Sequence, residues 1–214
     1  KEIDMNLTDK FIFEYLKGFK FDYVGKLFKR IFDVEIQIEI YEYSKKNSYR
    51  ETAHVTFKKD KLIYQCDLCD NHDYENDFYQ ISIEEQRFIC FRKTLYGFSL
   101  LNVDNLLVEY EYFPEHVIHG EESFIITDVK QLDAILIFDG CYWACPYGAF
   151  AFDYKTKRFL DLSRMCNVFD LDKTEVQGNN LIIFGTDEND SEKQVVISKQ
   201  DIIKELTEHG NKYF

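Results

Sequence analysis

The sequence predicts an α+β chain, predominantly antiparallel β in meanders and hairpins, with short helices at the N- and C-terminal ends. Three observations carry that expectation. Aromatic residues make up 17% of the 214, with 20 Phe and 15 Tyr against 9 Gly and 2 Pro, a bias towards pleated sheet over loops. Val34, Ile36, Ile38 and Ile40 alternate with Glu35, Gln37 and Glu39, the period-two pattern of a half-buried strand. The segments that read as helices, by contrast, fall at the two ends of the chain.

Taken in order, Thr8 is the expected N-cap of a helix over 9–17, with Asp9 in its first turn. Phe11, Ile12, Tyr15 and Leu16 form its apolar stripe, and Gly18 stops it. A second helix is predicted over 22–32, with Val24, Leu27, Phe28 and Ile31 on one side and Lys26, Lys29 and Arg30 on the other. Gly25 inside it costs about 1 kcal/mol relative to Ala. The stretch from Lys17 to Arg30 is basic and aromatic, which suits either a helix docked on a sheet or one lying on a membrane or partner. The docked reading is preferred, because the rest of the chain is acidic and has no membrane signature.

After the strand at 34–40 come a polar turn at 44–48 and a hairpin of 54–57 with 62–66 around Lys58-Lys59-Asp60-Lys61. An acidic loop follows over 67–77, then strands at 78–83, 88–92 and 98–101. The segment 106–113 fits helix and strand equally, and Pro114 ends it. A loop with His116 and His119 leads to strands at 124–129 and 134–138.

The stretch 134–163 looks like the centre of the chain. Ala134 to Phe138 is an unbroken apolar run, as in a strand buried on both faces. Phe150, Phe152 and Tyr154 alternate with Ala149, Ala151 and Asp153, giving one bulky and one small face. The only Trp, Trp143, lies beside Cys145, Pro146 and Tyr147, and a packed core corner is expected there. A partner strand is predicted over 158–163, then a hairpin of 181–184 with 195–198 around an acidic loop. A terminal helix is capped by Ser198 with Asp201 at N3, carries Ile202, Ile203 and Leu206, and ends at His209-Gly210. The chain reads as one domain, 1–214, or as two lobes divided near 114–122.

The net charge of −13 argues against nucleic acid or an anionic membrane as partner, since phosphate binding needs clustered Lys and Arg. Complementary fields would speed docking on a basic protein. Six cysteines are too few for a disulfide scaffold, and no signal-peptide pattern opens the chain, so cytoplasm with reduced thiols is the expected setting. The chain does begin on Lys1, not on Met.

Motifs for chemistry are sparse. Cys66-x-x-Cys69-x-x-His72 has the spacing of a partial zinc site, with free thiols in and beside a sheet as the alternative. Cys145 would need a base, and His119 is a candidate. His116-x-x-His119 followed by Glu121 and Glu122 suits a metal only if helical. GxGxxG, phosphate-loop, GxSxG, HExxH and EF-hand patterns are missing. The leading expectation is a non-catalytic, acidic protein-binding module with no cofactor. Its contact residues would be Glu35, Glu39, Tyr41 and Tyr43 together with Asp187, Glu188, Asp190 and Glu192. Immunity and antitoxin proteins that neutralise basic partners share this character, by composition alone. The alternatives are a metal- or thiol-dependent enzyme using Cys66/Cys69/His72 or Cys145/His119, and a structural or phage-type assembly subunit.

Overall fold

The computed structural model describes residues 5–45, 48–69, 73–121, 123–143 and 146–212. The described chain is mostly antiparallel β, with three short α-helices. It divides into two compact units, Lys1–Ile118 and His119–Phe214.

Unit 1 opens with helix α1 (Leu7–Leu16), which Asn6 caps by accepting the Asp9 amide at 2.8 Å. The expected cap, Thr8, instead lies one residue inside the helix and is buried. Four antiparallel strands follow in sequence order: β1 (Asp22–Ile31), β2 (Val34–Lys45), β3 (Ser48–Lys59) and β4 (Leu62–Cys69). A second meander contains β5 (Phe78–Ile83), β6 (Gln86–Phe91), β7 (Phe98–Asn102) and β8 (Val108–Tyr112). The ambiguous segment 106–113 is therefore a strand, and a 3-10 turn, Glu115–His119, follows it.

The helix predicted over 22–32 is corrected to β1. Its apolar residues fit a 3.6 spacing, but pairing with β2 decides between the two states, as tertiary context commonly does. Tyr23 pairs with Tyr41, Leu27 with Ile38 and Ile31 with Val34 across a two-residue turn. Gly25 sits at the register shift after Tyr23, where a bulge suits glycine. The two sheets of unit 1 share a core in which Ile36, Ile38, Val55 and Phe57 meet Phe78, Ile89, Phe91 and Leu101. Phe57 is fully buried, with its ring centroid 5.0 Å from that of Phe91.

Unit 2 begins with a meander of β9 (Ile125–Leu132), β10 (Ile135–Cys141), β11 (Tyr147–Asp153) and β12 (Arg158–Asp161). Ile135 to Phe138 are buried, as a strand covered on both faces requires, and the small face of β11 (Ala149, Ala151) joins the unit's core. The strand expected to run to Ser163 stops at Asp161, which caps helix α2 (Leu162–Cys166) by accepting the Arg164 amide at 2.9 Å. Asn167 closes that helix in the left-handed conformation. A three-stranded sheet follows: β13 (Asp170–Gln177), β14 (Asn180–Thr186) and β15 (Glu192–Ser198). Ser198 caps helix α3 (Lys199–His209), accepting the Asp201 amide at 3.1 Å and donating to its carboxylate at 2.6 Å.

Leu162, Leu181, Ile183, Ile202 and Leu206 complete the core of unit 2. Its two sheets are pinned by one carboxylate. Thr174 Oγ1 on β13 donates to Asp139 on β10 at 2.7 Å, and Lys130 on β9 lies 2.6 Å from the same group. Trp143 is not a core corner: it is 52% exposed, in the connection between β10 and β11. Among the described residues, no helix is long and apolar enough to cross a membrane.

Candidate functional site

A CxxC grips one ion when a tight turn folds its sulfurs together. Here Cys66 and Cys69 both belong to the extended strand β4, in unbroken register with Val55 and Thr52. Three residues of strand separate their Cα atoms by roughly 10 Å, and alternation turns the side chains to opposite faces. β4 therefore does not bring the two thiols together. Cys66 is half-buried and Cys69 buried, and burial pushes the Cys66 thiol up to about 12. His72 lies outside the described residues, as do Cys145 and Glu122. His119 ends the 3-10 turn and is exposed. The one described group of three metal-type ligands is Glu205, Glu208 and His209 near the end of α3, and two of the three are exposed.

The wet face of β2 does carry Glu35, Glu39, Tyr41 and Tyr43, but its neighbours change its character. Glu35 lies between Arg30 on β1 and Lys58 on β3, and Glu39 lies between Lys26 and His54. His54 in turn is 2.8 Å from Asp67. Tyr41 packs edge-on against Tyr23, and Tyr43 against Phe19. Arg50, opposite Tyr43, stacks 4.3 Å over Phe19 and 4.4 Å over Tyr15. Two basic residues of the segment expected to be helical, Lys26 and Arg30, are thus the cross-strand partners of the β2 carboxylates Glu39 and Glu35. This face is charge-balanced, and it is acidic only when β2 is read alone.

The acidic loop behaves differently. Asp187 turns inward and organises it, accepting the amides of Asn189 at 2.8 Å and Ser191 at 3.1 Å. Those two amide hydrogen bonds hold its carboxyl below the usual range. Glu188, Asp190 and Glu192 are exposed. Among the described residues none of the three is in an ion pair.

Sequence reasoning missed two features. The first is a cleft of about 380 Å³ between α1 and β4, lined by Asp9, Ile12, Phe13, Tyr64, Cys66 and Lys93. Lys93 is only 3% exposed, with its ammonium 2.9 Å from Glu111 and 3.0 Å from Asp9. Burial favours its neutral form, but the Glu111 charge, then Tyr64, reverse that and hold Lys93 protonated. A lysine held charged is no base, and a thiol as reluctant to ionise as Cys66 is a poor nucleophile. The second is an aromatic groove in unit 2, where Tyr142, Tyr147 and Phe169 are 43%, 44% and 54% exposed. Only the richness of 142–147 in aromatics hinted at it, and that richness was read as core.

Comparison with protein-family models, curated proteins and solved structures found no match.

Proposed function

We propose that the chain is a non-catalytic protein-binding module that docks on a basic partner through the acidic tip of the β14–β15 hairpin. The observation behind this reading is the contrast between that tip and three charged clusters elsewhere in the described residues. Glu188, Asp190 and Glu192 stand exposed on a turn fixed by Asp187. Lys93, the Lys59–Asp33–Arg87–Asp104 network and the Lys130–Asp139 pair are neutralised within the fold. Carboxylates held in place and left without counter-ions attract cationic surfaces and speed encounter with them. Neutralisation of a basic protein, as by an immunity protein or antitoxin, is the form of activity this supports. The free thiols at Cys66, Cys90 and Cys166 suit a reducing cytoplasm.

The test is affinity capture from the native source with the wild type and with the E188Q/D190N/E192Q variant, each at low and high salt. The wild type is expected to retain a basic protein that elutes with rising salt, and the variant to lose it. Equal retention of the same partner by both proteins, with the same salt dependence, refutes the reading.

A further inference from the structure

The aromatic groove beside α2 holds more than exposed rings. The cleft has a volume of about 200 Å³; Phe124, Tyr142, Tyr147 and Phe169 form its apolar wall, and Asp161, Ser163 and Arg164 supply its polar groups. These polar groups keep capacity to spare. Asp161 Oδ1 accepts the Arg164 amide, and Oδ2 has no hydrogen-bond partner among the described residues. Ser163 Oγ accepts the Ala149 amide at 2.8 Å and keeps its own proton to donate. Arg164 is exposed, and among the described residues its guanidinium is in no ion pair. Asp161 is close enough that its charge, after burial, helps raise the pKa of the Tyr142 hydroxyl. Asp161 and Arg164 also line an adjoining depression of about 650 Å³ with Glu205, His209 and Asn211.

An apolar recess with a few convergent polar groups is the usual form of a small-ligand site. Its charges narrow the ligand. Asp161 opposes an anion and Arg164 opposes a cation, so a neutral molecule suits both. That molecule must donate to a carboxylate and accept from a guanidinium and a hydroxyl, which a hydroxyl group does on both counts. It must also lay an apolar face on open aromatic rings. We propose that this cleft binds a neutral oligosaccharide, with one sugar ring in the aromatic recess and further rings along the depression beyond Arg164. The proposal is independent of the acidic tip and of any protein partner.

The test is calorimetric titration with maltohexaose, cellohexaose, chitohexaose and mannohexaose, with emission from Trp143, the single tryptophan, as a second readout. One series is expected to bind with a Kd of millimolar or tighter and to weaken as its chains shorten. Phe169→Ala, Tyr147→Ala and Arg164→Ala are each expected to weaken that binding about tenfold or more. All three side chains are exposed, and unchanged melting temperatures verify the fold. Failure of all four sugars to bind at millimolar concentration overturns the proposal. So does binding that survives both Phe169→Ala and Arg164→Ala, or shielding of Tyr147 and Phe169 by a captured protein with no sugar bound.

Discussion

Lys93 offers a measurable expectation for the interior of unit 1. Its ammonium is almost fully buried between Glu111, 15% exposed, and Asp9, 45% exposed. Breaking a buried pair by removing one partner costs roughly 3–5 kcal/mol. Glu111→Gln leaves Asp9 as the one carboxylate paired with Lys93 among the described residues, so the lower end applies, about 3 kcal/mol. For a chain of this length that is a fall in Tm of roughly 6–12 °C. Lys93→Met strands Glu111, which keeps only the Ser99 hydroxyl at 3.1 Å, and is expected to cost a similar amount. The double variant removes both charges and should recover part of the loss, giving a coupling of about 1–3 kcal/mol. Urea and thermal unfolding of all four proteins measure it. The pKa of Lys93 is raised in the fold, so its contribution is complete below the ordinary lysine range and is lost only as pH rises through the folded value. The coupling should therefore be flat from neutral pH to about pH 10. Single variants that add within about 0.5 kcal/mol would falsify the assignment.

Further outcomes follow from other parts of the fold. Gly97 adopts φ +78°, and a Cβ there would fall 2.0 Å from the Tyr112 carbonyl oxygen, so Gly97→Ala should cost at least about 3 kcal/mol. Gly25 has nothing within 4 Å, so Gly25→Ala should change stability by no more than about 0.5 kcal/mol; equal Tm shifts for the two would contradict the turn geometry. Burial holds the Cys66 thiol up at about 12 and that of Cys166 at about 11, so at pH 8 both remain protonated. Both should react with iodoacetamide at least about a hundredfold more slowly than a model thiol, as read by mass spectrometry, and fast labelling of Cys66 would show that α1 does not cover it. Asp187 titrates below its ordinary range, so its support for the tip is present above that range and lost as pH falls through the lowered value. Amide shifts of Asn189 and Ser191 should move together, with a midpoint below about pH 3.9; a higher midpoint would mean that the turn is not held by this carboxylate.

Much of the β architecture was legible because alternation is local. The 34–40 pattern, the Lys58–Lys61 tip and the apolar run before Asp139 each named their strand without any partner. Segment 22–32 was misread because Leu27, Phe28 and Ile31 satisfy a helical spacing as well as an extended one. The deciding fact, pairing of β1 with β2, is non-local. That same pairing hid the placing of Arg30, Lys58 and Lys26 beside Glu35 and Glu39 across the strands. β13 was missed because Asp-Leu-Asp-Lys-Thr-Glu looks like a wet loop, whereas Thr174 is buried on Asp139. The caps of α2, Asp161 and Asn167, were readable and went unread. The average tendency of Trp to be buried points Trp143 to the core, yet it lies exposed in the connection between β10 and β11. Nothing local marks Lys93 as buried, because its carboxylate partners come from α1 and β8.

The most direct measurement is hydrogen exchange across the captured complex, comparing the chain alone with the chain bound to its basic partner. Protection is expected to centre on the 187–192 tip and the flanking ends of β14 and β15, and to diminish as salt is raised. An unchanged tip, with protection confined to the cleft at Lys93 and Cys66, would contradict the account.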